Sequence, residues 1–385
     1  MTNMRFVKVL ILGVDGYLGF TLAVKLLSLG HEIFGIDDFS RREHVREMGS
    51  HSILPIETAS KRRSMLNKIG KYNFIQSNIS NNYCTLCGIL SEYNPDVIIH
   101  LAEQPSAPFS MIDVNHCIYT MKNNVLGTMN LIYAIKQHSP QAHLIKLGTL
   151  GEYGTPEIEI PEGFLEIEQV RLPFPKQANS WYHWTKVHDS NNIMFASKLW
   201  GLTSTDIMQG IVYGTKTKEL QEWQLNTRFD IDESFGTVIN RFCAQAVIDY
   251  PLTVYGSGGQ TRGLLSLSDS IQCIELLMNN PPEKGEYRVV NQFDEKYSVL
   301  ELARMIKRIG DKKGLDVEIQ NIKNPRMEKE EHQYHVNHDT LLKLGFKHTR
   351  MIDDEISIML DDLMKHKNRI LEKKDIILKG IKWRS

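Results

Sequence analysis

Apolar residues group in short runs along the first half of the chain, and longer amphipathic stretches separate these runs. The runs are rich in Val, Ile and Leu, which is typical of strands buried on both faces of a parallel sheet. The predicted strands are Lys8–Leu12, Glu32–Ile36, Asn73–Gln76, Val97–His100, His143–Leu147 and Thr203–Met208, with helical patterns between them at Gly19–Ser28, Val125–Gln137 and Trp184–Leu199. This alternation predicts an α/β fold built on a doubly wound parallel (Rossmann) sheet.

The pattern changes after about Val212. Residues 214–262 combine Gly, Thr and charged residues, Glu286–Asn291 has the character of a late strand of the main sheet, and the tail from about Phe293 is charged and partly helical. We therefore predict a dinucleotide-binding domain at 1–213 plus about 263–293. A smaller C-terminal substrate-binding domain would comprise about 214–262 plus 294–385. The long connection 38–71 is either a helical cover for the site or an ordinary crossover helix.

Composition and charge exclude several classes of function. The 385 residues include 45 basic and 46 acidic ones, for a net charge of −1, which gives no general attraction to nucleic acid or to an anionic membrane. No apolar run reaches membrane-spanning length, and no secretory signal precedes the first strand, so we expect no membrane insertion. Five cysteines, an odd number in a large chain, indicate reduced thiols and a cytoplasmic protein.

A glycine-rich turn directly follows the first predicted strand. Gly13, Gly16 and Gly19 have the spacing GxxGxxG, which permits a tight turn and a close approach of backbone to a pyrophosphate at a helix N-terminus. The second strand ends in Asp37, whose carboxylate can accept hydrogen bonds from both ribose hydroxyls and would repel a 2′-phosphate. The pattern therefore predicts NAD, although Arg41 and Arg42 leave a role in receiving a 2′-phosphate open.

A second set of residues predicts redox chemistry. Tyr182 and Lys186 form a YxxxK pattern, which places both side chains on one helix face. The ammonium of Lys186 and a bound nicotinamide cation would lower the pKa of Tyr182, so that it could act as a base near neutral pH. Thr149 follows the strand His143–Leu147, where its hydroxyl would face the ligand crevice.

This Thr–Tyr–Lys set, together with the glycine turn, resembles the extended short-chain dehydrogenases/reductases over nearly the whole chain. Asn123-Asn124-Val-Leu-Gly127-Thr128 resembles their fourth-helix signature, and Leu101-Ala-Glu-Gln104 resembles the segment beside the nicotinamide. Their Asp-Ile signature after the third strand is here Asn78-Ile79, and the amide keeps an acceptor for the adenine amine. The resemblance implies these cofactor-binding residues: Gly13, Asp15, Gly16, Tyr17, Leu18, Gly19, Asp37, Asp38, Arg41, Arg42, Asn78, Ile79, Leu101, Asn124, Tyr182 and Lys186.

Within that group the sequence resembles the UDP-sulfoquinovose synthases. The segments that carry this resemblance are Lys146-Leu-Gly-Thr-Leu-Gly-Glu-Tyr-Gly-Thr-Pro156, Ser106-Ala-Pro-Phe-Ser-Met-Ile-Asp113, Tyr182-His-Trp-Thr-Lys-Val-His-Asp-Ser190, Tyr255-Gly-Ser-Gly-Gly-Gln-Thr-Arg-Gly263 and Asn324-Pro-Arg-Met-Glu-Lys-Glu-Glu-His332. The sugar 4,6-dehydratases carry an Asp-Glu pair after the fifth strand, where this chain has Leu150 and Gly151. A 4-epimerase or a 4,6-dehydratase remains the alternative, and a non-catalytic NAD-binding regulator is a third reading.

The resemblance implies conversion of UDP-glucose and sulfite to UDP-sulfoquinovose. Oxidation at C4 by NAD would be followed by loss of water across C5 and C6, addition of sulfite at C6, and return of the hydride to C4. Thr149, Tyr182 and Lys186 would serve the redox half, and Glu152 and His183 are the candidates for proton transfer. Glu152 could instead only orient its neighbours. Pro105 replaces an Arg that the family usually carries, so a charged contact is absent there.

The same resemblance implies the remaining partners. Two helices, around Asn123–Gln137 and Trp184–Leu199, form the dimer interface in most relatives, so a homodimer is expected. Sulfite could arrive free or from a donor protein. No metal is expected, because neither hydride transfer nor this elimination needs one. The candidate substrate-binding residues are Thr149, Gln209, Thr237, Arg241, Gln260, Arg262 and Arg326.

Overall fold

The computed structural model describes residues 6–324 and 335–378. The strands of these residues are β1 (Lys8–Leu12), β2 (Glu32–Asp37), β3 (Tyr72–Gln76), β4 (Val97–His100), β5 (His143–Leu147), β6 (Phe164–Ile167), β7 (Val170–Pro173), β8 (Ser204–Gln209), β9 (Ile211–Tyr213), β10 (Leu252–Tyr255), β11 (Thr261–Ser266), β12 (Tyr287–Gln292), β13 (Glu295–Ser298) and β14 (Ile319–Ile322).

The α-helices are α1 (Tyr17–Ser28), α2 (Ser40–Glu47), α3 (Ala59–Ile69), α4 (Tyr83–Tyr93), α5 (Ala107–Ser110), α6 (Val114–Met121), α7 (Gly127–His138), α8 (Trp181–Trp200), α9 (Lys218–Glu222), α10 (Val238–Val247), α11 (Leu267–Asn279), α12 (Val299–Lys312), α13 (Asp339–Lys343), α14 (Ile352–Met364) and α15 (Lys367–Leu371). A π-helical turn at Lys122–Leu126 joins α6 to α7, and 3₁₀ turns lie at Leu150–Glu152 and Lys374–Ile376. Among the described residues, no helix is long and apolar enough to cross a bilayer.

The central sheet has seven strands in the order β12-β8-β5-β4-β1-β2-β3. Every neighbouring pair in it is parallel. The strand order reverses between β1 and β4, and in open α/β sheets ligands bind beyond the carboxyl ends of the strands at this point. The predicted doubly wound parallel sheet is therefore confirmed, and the predicted bounds of β1, β4 and β5 are those of the structure.

Two apolar layers cover the two faces of this sheet, because successive side chains of a strand point to opposite faces. In β1, Val9 and Ile11 pack with apolar residues of α1, α3 and α11. Leu10 and Leu12 pack on the other face with residues of α4, α7 and α8. All four side chains are fully buried, which explains why the strand sequences show no polar alternation.

A separate core forms from the later part of the chain. Residues of α10, α12 and α14 pack together there, and Phe242, Leu302 and Met359 are among its fully or almost fully buried side chains. Ile53 and Leu54, from the connection between α2 and α3, join this core. The long connection therefore contains two helices and a loop that packs against the later segment. The predicted domain limits of 1–213 plus about 263–293 and 214–262 plus 294–385 remain a prediction.

Candidate active site

A cavity of about 420 Å³ lies beyond the carboxyl ends of the central strands, at the predicted position. Glu103 and Arg228, which the sequence analysis did not assign, also line it. The predicted site residues that line it are Gly13, Asp15, Gly16, Tyr17, Leu18, Gly19, Asp37, Asp38, Arg41, Asn78, Ile79, Leu101, Thr149, Tyr182, His183, Lys186, Gln209 and Thr237. The fold thus gathers the glycine turn, the Thr–Tyr–Lys set and two further substrate candidates, Gln209 and Thr237, around one space.

Several predicted site residues lie outside the lining of this cavity. They are Arg42, Asn124, Glu152, Arg241, Gln260 and Arg262. Arg326 lies outside the described residues. Arg241, on α10, and Gln260, before β11, are buried. Arg262, on β11, donates to the carbonyl of Thr261 at 3.0 Å. Their roles in holding a nucleotide sugar remain predictions.

The glycine turn can be built only from glycines at two positions. Gly13 has φ of +85°, and a Cβ there would lie 2.7 Å from the carbonyl carbon of Leu101. A Cβ on Gly19 would lie 2.1 Å from the carbonyl oxygen of Gly13, so α1 packs directly against the turn. Gly16 is the N-cap of α1 and supplies no side-chain cap. The N–H groups of the first turn are therefore available to an anion in the cavity.

Asp15 within the turn is held by two arginines. Arg42 donates to both of its carboxylate oxygens, at 2.6 and 2.8 Å, and the buried Arg62 donates to Oδ1 at 3.0 Å and to the Asp15 carbonyl at 2.8 Å. Burial opposes ionisation, but Arg42 and Arg62 keep the pKa of Asp15 below its ordinary value. Arg42 therefore stabilises the turn through its ion pair with Asp15. Because its donors are engaged there, the structure gives less support to the alternative in which Arg42 binds a 2′-phosphate.

The adenosine end of the predicted cofactor site lies where β2 ends. Asp37 accepts from the backbone N–H groups of Asp15, at 2.8 Å, and Phe39, at 2.7 Å. Burial, with the charge of Asp15 second, raises the pKa of Asp37 to about 7. Asn78 donates to Asp38 at 2.6 Å. The carbonyl oxygen of Asn78 accepts from both the N–H and the hydroxyl of Ser80, so the acceptor expected for an adenine amine is already engaged.

The Tyr–Lys pair differs from the expectation in its electrostatics. Lys186 Nζ lies 2.7 Å from Glu103 Oε2 and donates to the carbonyl of Leu147 at 2.6 Å. Burial of the hydroxyl and then the negative charge of Glu103 raise the pKa of Tyr182 above its ordinary value. The expected lowering, which depends on a nicotinamide cation as well as on Lys186, stays a prediction. Glu103 balances the ammonium, and burial disfavours the phenolate.

His183 occupies the space that a side chain at position 151 would need. A Cβ on Gly151 would lie only 2.4 Å from His183 Nε2. The hydroxyl of Ser180 lies 3.0 Å from His183 Nδ1, and the imidazole lies beside Tyr182 with ring centroids 5.0 Å apart. Ser180 therefore orients the ring, and Gly151 allows it to reach the cavity where the dehydratases have a glutamate.

Glu152 is fully buried, and two lysine side chains pair with its carboxylate. It pairs with Lys146 at 3.3 Å and Lys176 at 2.6 Å, and it accepts from the hydroxyl of Ser190 at 2.7 Å. Burial opposes ionisation, but the two ammonium groups lower its pKa to about 2. A carboxylate held so firmly as an anion is a poor proton donor near neutral pH. This geometry favours the orienting role over proton transfer.

The remaining candidates hold the site together. Asn124, in the π-helical turn, donates to the carbonyl of Gln104 at 3.1 Å and to the hydroxyl of Thr185 at 2.9 Å. It therefore ties the Leu101–Gln104 segment to α8. Gln209, at the end of β8, donates to Gln292 at 2.7 Å. Thr237 caps α10 by accepting from the N–H of Asn240.

Four residues that the structure places in or beside the site have no assignment in the sequence analysis: Glu103, Lys146, Arg62 and Arg228. Glu103 lies inside a segment that the resemblance had marked, yet its ion pair with Lys186 spans 83 residues of sequence. Lys146 follows two apolar residues in the buried strand β5, and a lysine in such a strand is a signal for a buried ion pair. Arg62 belongs to a basic run that sequence alone could not distinguish from a solvated helix face.

Among the described residues, no group of three or more His, Cys, Asp or Glu is placed to hold a metal ion. The glycine turn, by contrast, fits a dinucleotide. Gly13 and Gly19 let the turn pack closely against the residues after β4 and against α1, α1 presents its N-terminus to the cavity, and Asp37 lies at the end of β2 as a ribose acceptor requires.

Comparison with known proteins decides the family. A model of the NAD dependent epimerase/dehydratase family matches residues 9–291. The chain is 46% identical to a UDP-sulfoquinovose synthase of Sulfolobus acidocaldarius, over 98% of both proteins. It is 43% identical to the chloroplastic UDP-sulfoquinovose synthase of Spinacia oleracea, over 98% of this chain and 79% of that protein. The chain belongs to the NAD dependent epimerase/dehydratase family and, within it, to the UDP-sulfoquinovose synthases.

Solved structures of the same family share the fold. A UDP-glucuronic acid 4-epimerase of Bacillus cereus, in complex with UDP-glucuronic acid and NAD, matches with a TM-score of 0.68 and 21% identity over 93% of this chain and 99% of that one. A UDP-glucose 4-epimerase of Thermotoga maritima, with UDP-glucose, matches with a TM-score of 0.69 and 19% identity over the same shares. At these identities the likeness shows the fold alone.

Proposed function

We propose that this protein converts UDP-glucose and sulfite to UDP-sulfoquinovose with NAD as a recycled cofactor. The observation that carries the proposal is the 46% identity over nearly the full length of both chains to a protein with that activity. The local geometry supports it, because Thr149, Tyr182, His183 and Lys186 line one cavity together with the glycine turn.

NAD, when bound, supplies the acceptor for the hydride of C4 and returns that hydride at the end of the cycle. The residues that would hold it are those of the glycine turn, the acidic end of β2, and Lys186. The overall reaction balances, since UDP-glucose and sulfite give UDP-sulfoquinovose and one water.

The first chemical task of the protein is to remove the proton of the C4 hydroxyl. We assign Tyr182 as the base and Thr149, which lines the same cavity, as a hydrogen-bond partner of the same hydroxyl. Burial and the charge of Glu103 raise the pKa of Tyr182, which favours the protonated hydroxyl. A positive charge beside the ring would offset both burial and the charge of Glu103, so cofactor binding makes Tyr182 a usable base.

The second task is to remove the C5 hydrogen and to protonate the departing C6 hydroxyl. A keto group at C4 acidifies the C5 hydrogen, and loss of water leaves an unsaturated carbon at C6 for attack by the sulfur of sulfite. His183 is the group that we assign to these proton transfers, because it lines the cavity beside Tyr182. Glu152 is a positioning residue, since it fixes β5 and α8 behind the cavity wall.

An isotope experiment tests this cycle. UDP-glucose with deuterium at C4 is converted in the presence of sulfite, and the product is analysed by mass and by nuclear magnetic resonance. We expect a sulfonated UDP-hexose that keeps the deuterium at C4, because the same hydride returns. A deuterated UDP-galactose would indicate a 4-epimerase, and a 4-keto-6-deoxy sugar with the label at C6 would indicate a 4,6-dehydratase.

The same proposal includes a homodimer. Helices α6, α7 and α8 and the π-helical turn between α6 and α7 present large apolar side chains to solvent: Val114, Ile118, Leu126, Tyr133, Trp184, Phe195 and Leu199. These helices pack beside one another, and exposed apolar surface of this kind typically marks a protein–protein interface. A second copy of the chain is the partner that we propose for it.

We also propose a cytoplasmic location and free sulfite as the first sulfur source to test. All five cysteines lie in the described residues and are free thiols, which suits a reducing compartment. A sulfite-donor protein is the second source that the resemblance allows. It would be supported if turnover at low sulfite rises when a cell extract is added.

A further inference from the structure

Residues 226–230, which we call the strap, cross the N-terminus of α1. Thr227 donates to the carbonyl of Tyr17 at 2.9 Å, in the first turn of α1. Arg62 donates to the carbonyl of Asn226 at 3.2 Å. The strap belongs to the segment that the sequence analysis assigned to the substrate-binding domain, yet its contacts are with the glycine-turn side of the cavity.

The strap is also fixed on its other side. The N–H of Phe229 donates to the hydroxyl of Ser52 at 2.9 Å, and the N–H of Ile53 donates to the carbonyl of Phe229 at 2.8 Å. Arg369 in turn donates to the carbonyls of Ser52 and Ile53, at 2.8 and 2.9 Å. The backbone on both sides of Arg228 is therefore held in place.

Arg228 is 97% buried, lines the cavity and has unused donors. Its Nη1 lies 3.5 Å from Asp230 Oδ1. No acceptor among the described residues reaches its Nε or Nη2, although both atoms are buried. A buried guanidinium N–H without a partner costs free energy, so such groups in a native site point to a ligand.

The charge around Arg228 favours an anion. Asp230 also accepts from Arg41 at 2.8 Å, so one carboxylate serves two guanidinium groups. Arg62 is close enough for the charge of Arg228 to act on it. The free N–H groups at the N-terminus of α1 face the same cavity, and a helix N-terminus adds its own preference for negative charge.

We propose that Arg228 donates Nε and Nη2 to the diphosphate of the dinucleotide held at the N-terminus of α1, and so locks the cofactor in place from the second half of the chain. This inference rests on the proposed function, because it concerns the cofactor of that reaction. A cofactor that ends each cycle as it began need not leave, and a clamp from a separately packed segment would retain it between cycles.

Retention of NAD by the purified protein tests the proposal. The Arg228→Met variant removes the donors while keeping an unbranched side chain. The matched control is Arg369→Met, which removes hydrogen bonds that support the strap but removes no side chain that lines the cavity. NAD per chain is measured after long dialysis by releasing the nucleotide with acid. We expect Arg228→Met to hold NAD about 10- to 100-fold more weakly, as for loss of charge-assisted hydrogen bonds, and Arg369→Met to retain it.

Equal NAD retention by wild type and Arg228→Met would contradict the proposal, as would equal loss in Arg369→Met. A selective loss of UDP-glucose affinity in NAD-loaded Arg228→Met would place Arg228 on the other diphosphate. If the methionine variant does not fold, Arg228→Lys keeps the charge but not the two donors, and wild-type retention there would also contradict the proposal. NAD retention is measured without sulfite or sugar. The result can therefore be interpreted even if the protein does not carry out the proposed reaction.

Discussion

At the scale of single residues, Glu103 sets the electrostatics of the reaction centre. Its carboxylate lies 2.7 Å from Lys186 Nζ, and its charge is the second cause, after burial, of the raised pKa of Tyr182. The motif around it was recognised in the sequence, but its pairing could not be predicted. Only the fold brings the loop after β4 against the second turn of α8.

We expect Glu103→Gln to shift the pH–rate profile toward lower pH. Loss of the negative charge lowers the pKa of Tyr182, so the deprotonated base is available at lower pH. The profile of kcat/KM with UDP-glucose measures this shift, and Glu43→Gln, an exposed carboxylate paired with Arg46, is the control. An unchanged profile, or a shift toward higher pH, would show that Glu103 does not act on the base.

At the scale of secondary structure elements, Glu152 joins three parts of the fold. It binds Lys146 of β5, Ser190 of α8 and Lys176 of the loop before α8. Glu152→Gln removes the partner of Lys176 and one of the two buried carboxylates beside Lys146, the other being Asp206, and we expect the free energy of unfolding to fall by about 3 kcal/mol, the lower end for a broken buried pair. Glu57→Gln, which breaks an exposed pair with Lys61, should cost about 0–1 kcal/mol.

The ion pairs of Glu152 also make the free energy of unfolding depend on pH. The folded-state pKa of Glu152 is lowered to about 2, below the value of about 4.3 for an unfolded glutamate. Its contribution to stability is therefore complete above the unfolded value and is lost as the pH falls from there toward 2. Denaturant titrations across this range should show a steeper loss in wild type than in Glu152→Gln. Parallel loss in both would contradict the ion-pair account.

The turn Leu150–Glu152 packs against the start of α8, where Gly151 lies against the imidazole of His183. In Gly151→Ala, the new Cβ would fall 2.4 Å from His183 Nε2, so the imidazole must leave its place. We expect kcat to fall by about 10²-fold, the lower range for loss of a general acid or base, with NAD still bound. Gly88→Ala in α4 meets nothing within 4 Å and should leave turnover unchanged. Equal turnover in both variants would remove His183 from the mechanism.

The apolar periodicity predicted the central strands well, because strands buried on both faces carry a strong signal. It did not predict the hairpin of β6 and β7, whose side chains are mostly exposed, nor the packing of Ile53 and Leu54 into the second core. The glycine turn and the Tyr182–Lys186 pair were visible because their spacing is local, and Thr149 because it follows a predicted strand. Arg228 and Lys146 were not, because their partners are brought together only by the tertiary fold.

At the scale of the whole molecule, the exposed apolar faces of α6, α7 and α8 predict self-association. Phe195 is 61% exposed on α8, and Phe195→Asp would place a charge in the proposed interface. We expect sedimentation velocity to show a dimer for wild type and a monomer for Phe195→Asp. Leu342→Asp, at a 52% exposed position of α13, is the control and should remain dimeric. A monomeric wild type would contradict the interface.

The most direct test of the central claim is the mass of the product that the purified protein makes from UDP-glucose, with and without sulfite. The account predicts a UDP-hexose that carries a sulfonate, formed only when sulfite is present. It predicts that Tyr182→Phe loses this product, while Tyr83→Phe, whose hydroxyl contacts Gln137 far from the cavity, keeps it. UDP-galactose or a 4-keto-6-deoxy sugar formed without sulfite would contradict the account and leave an epimerase or a dehydratase on the same fold.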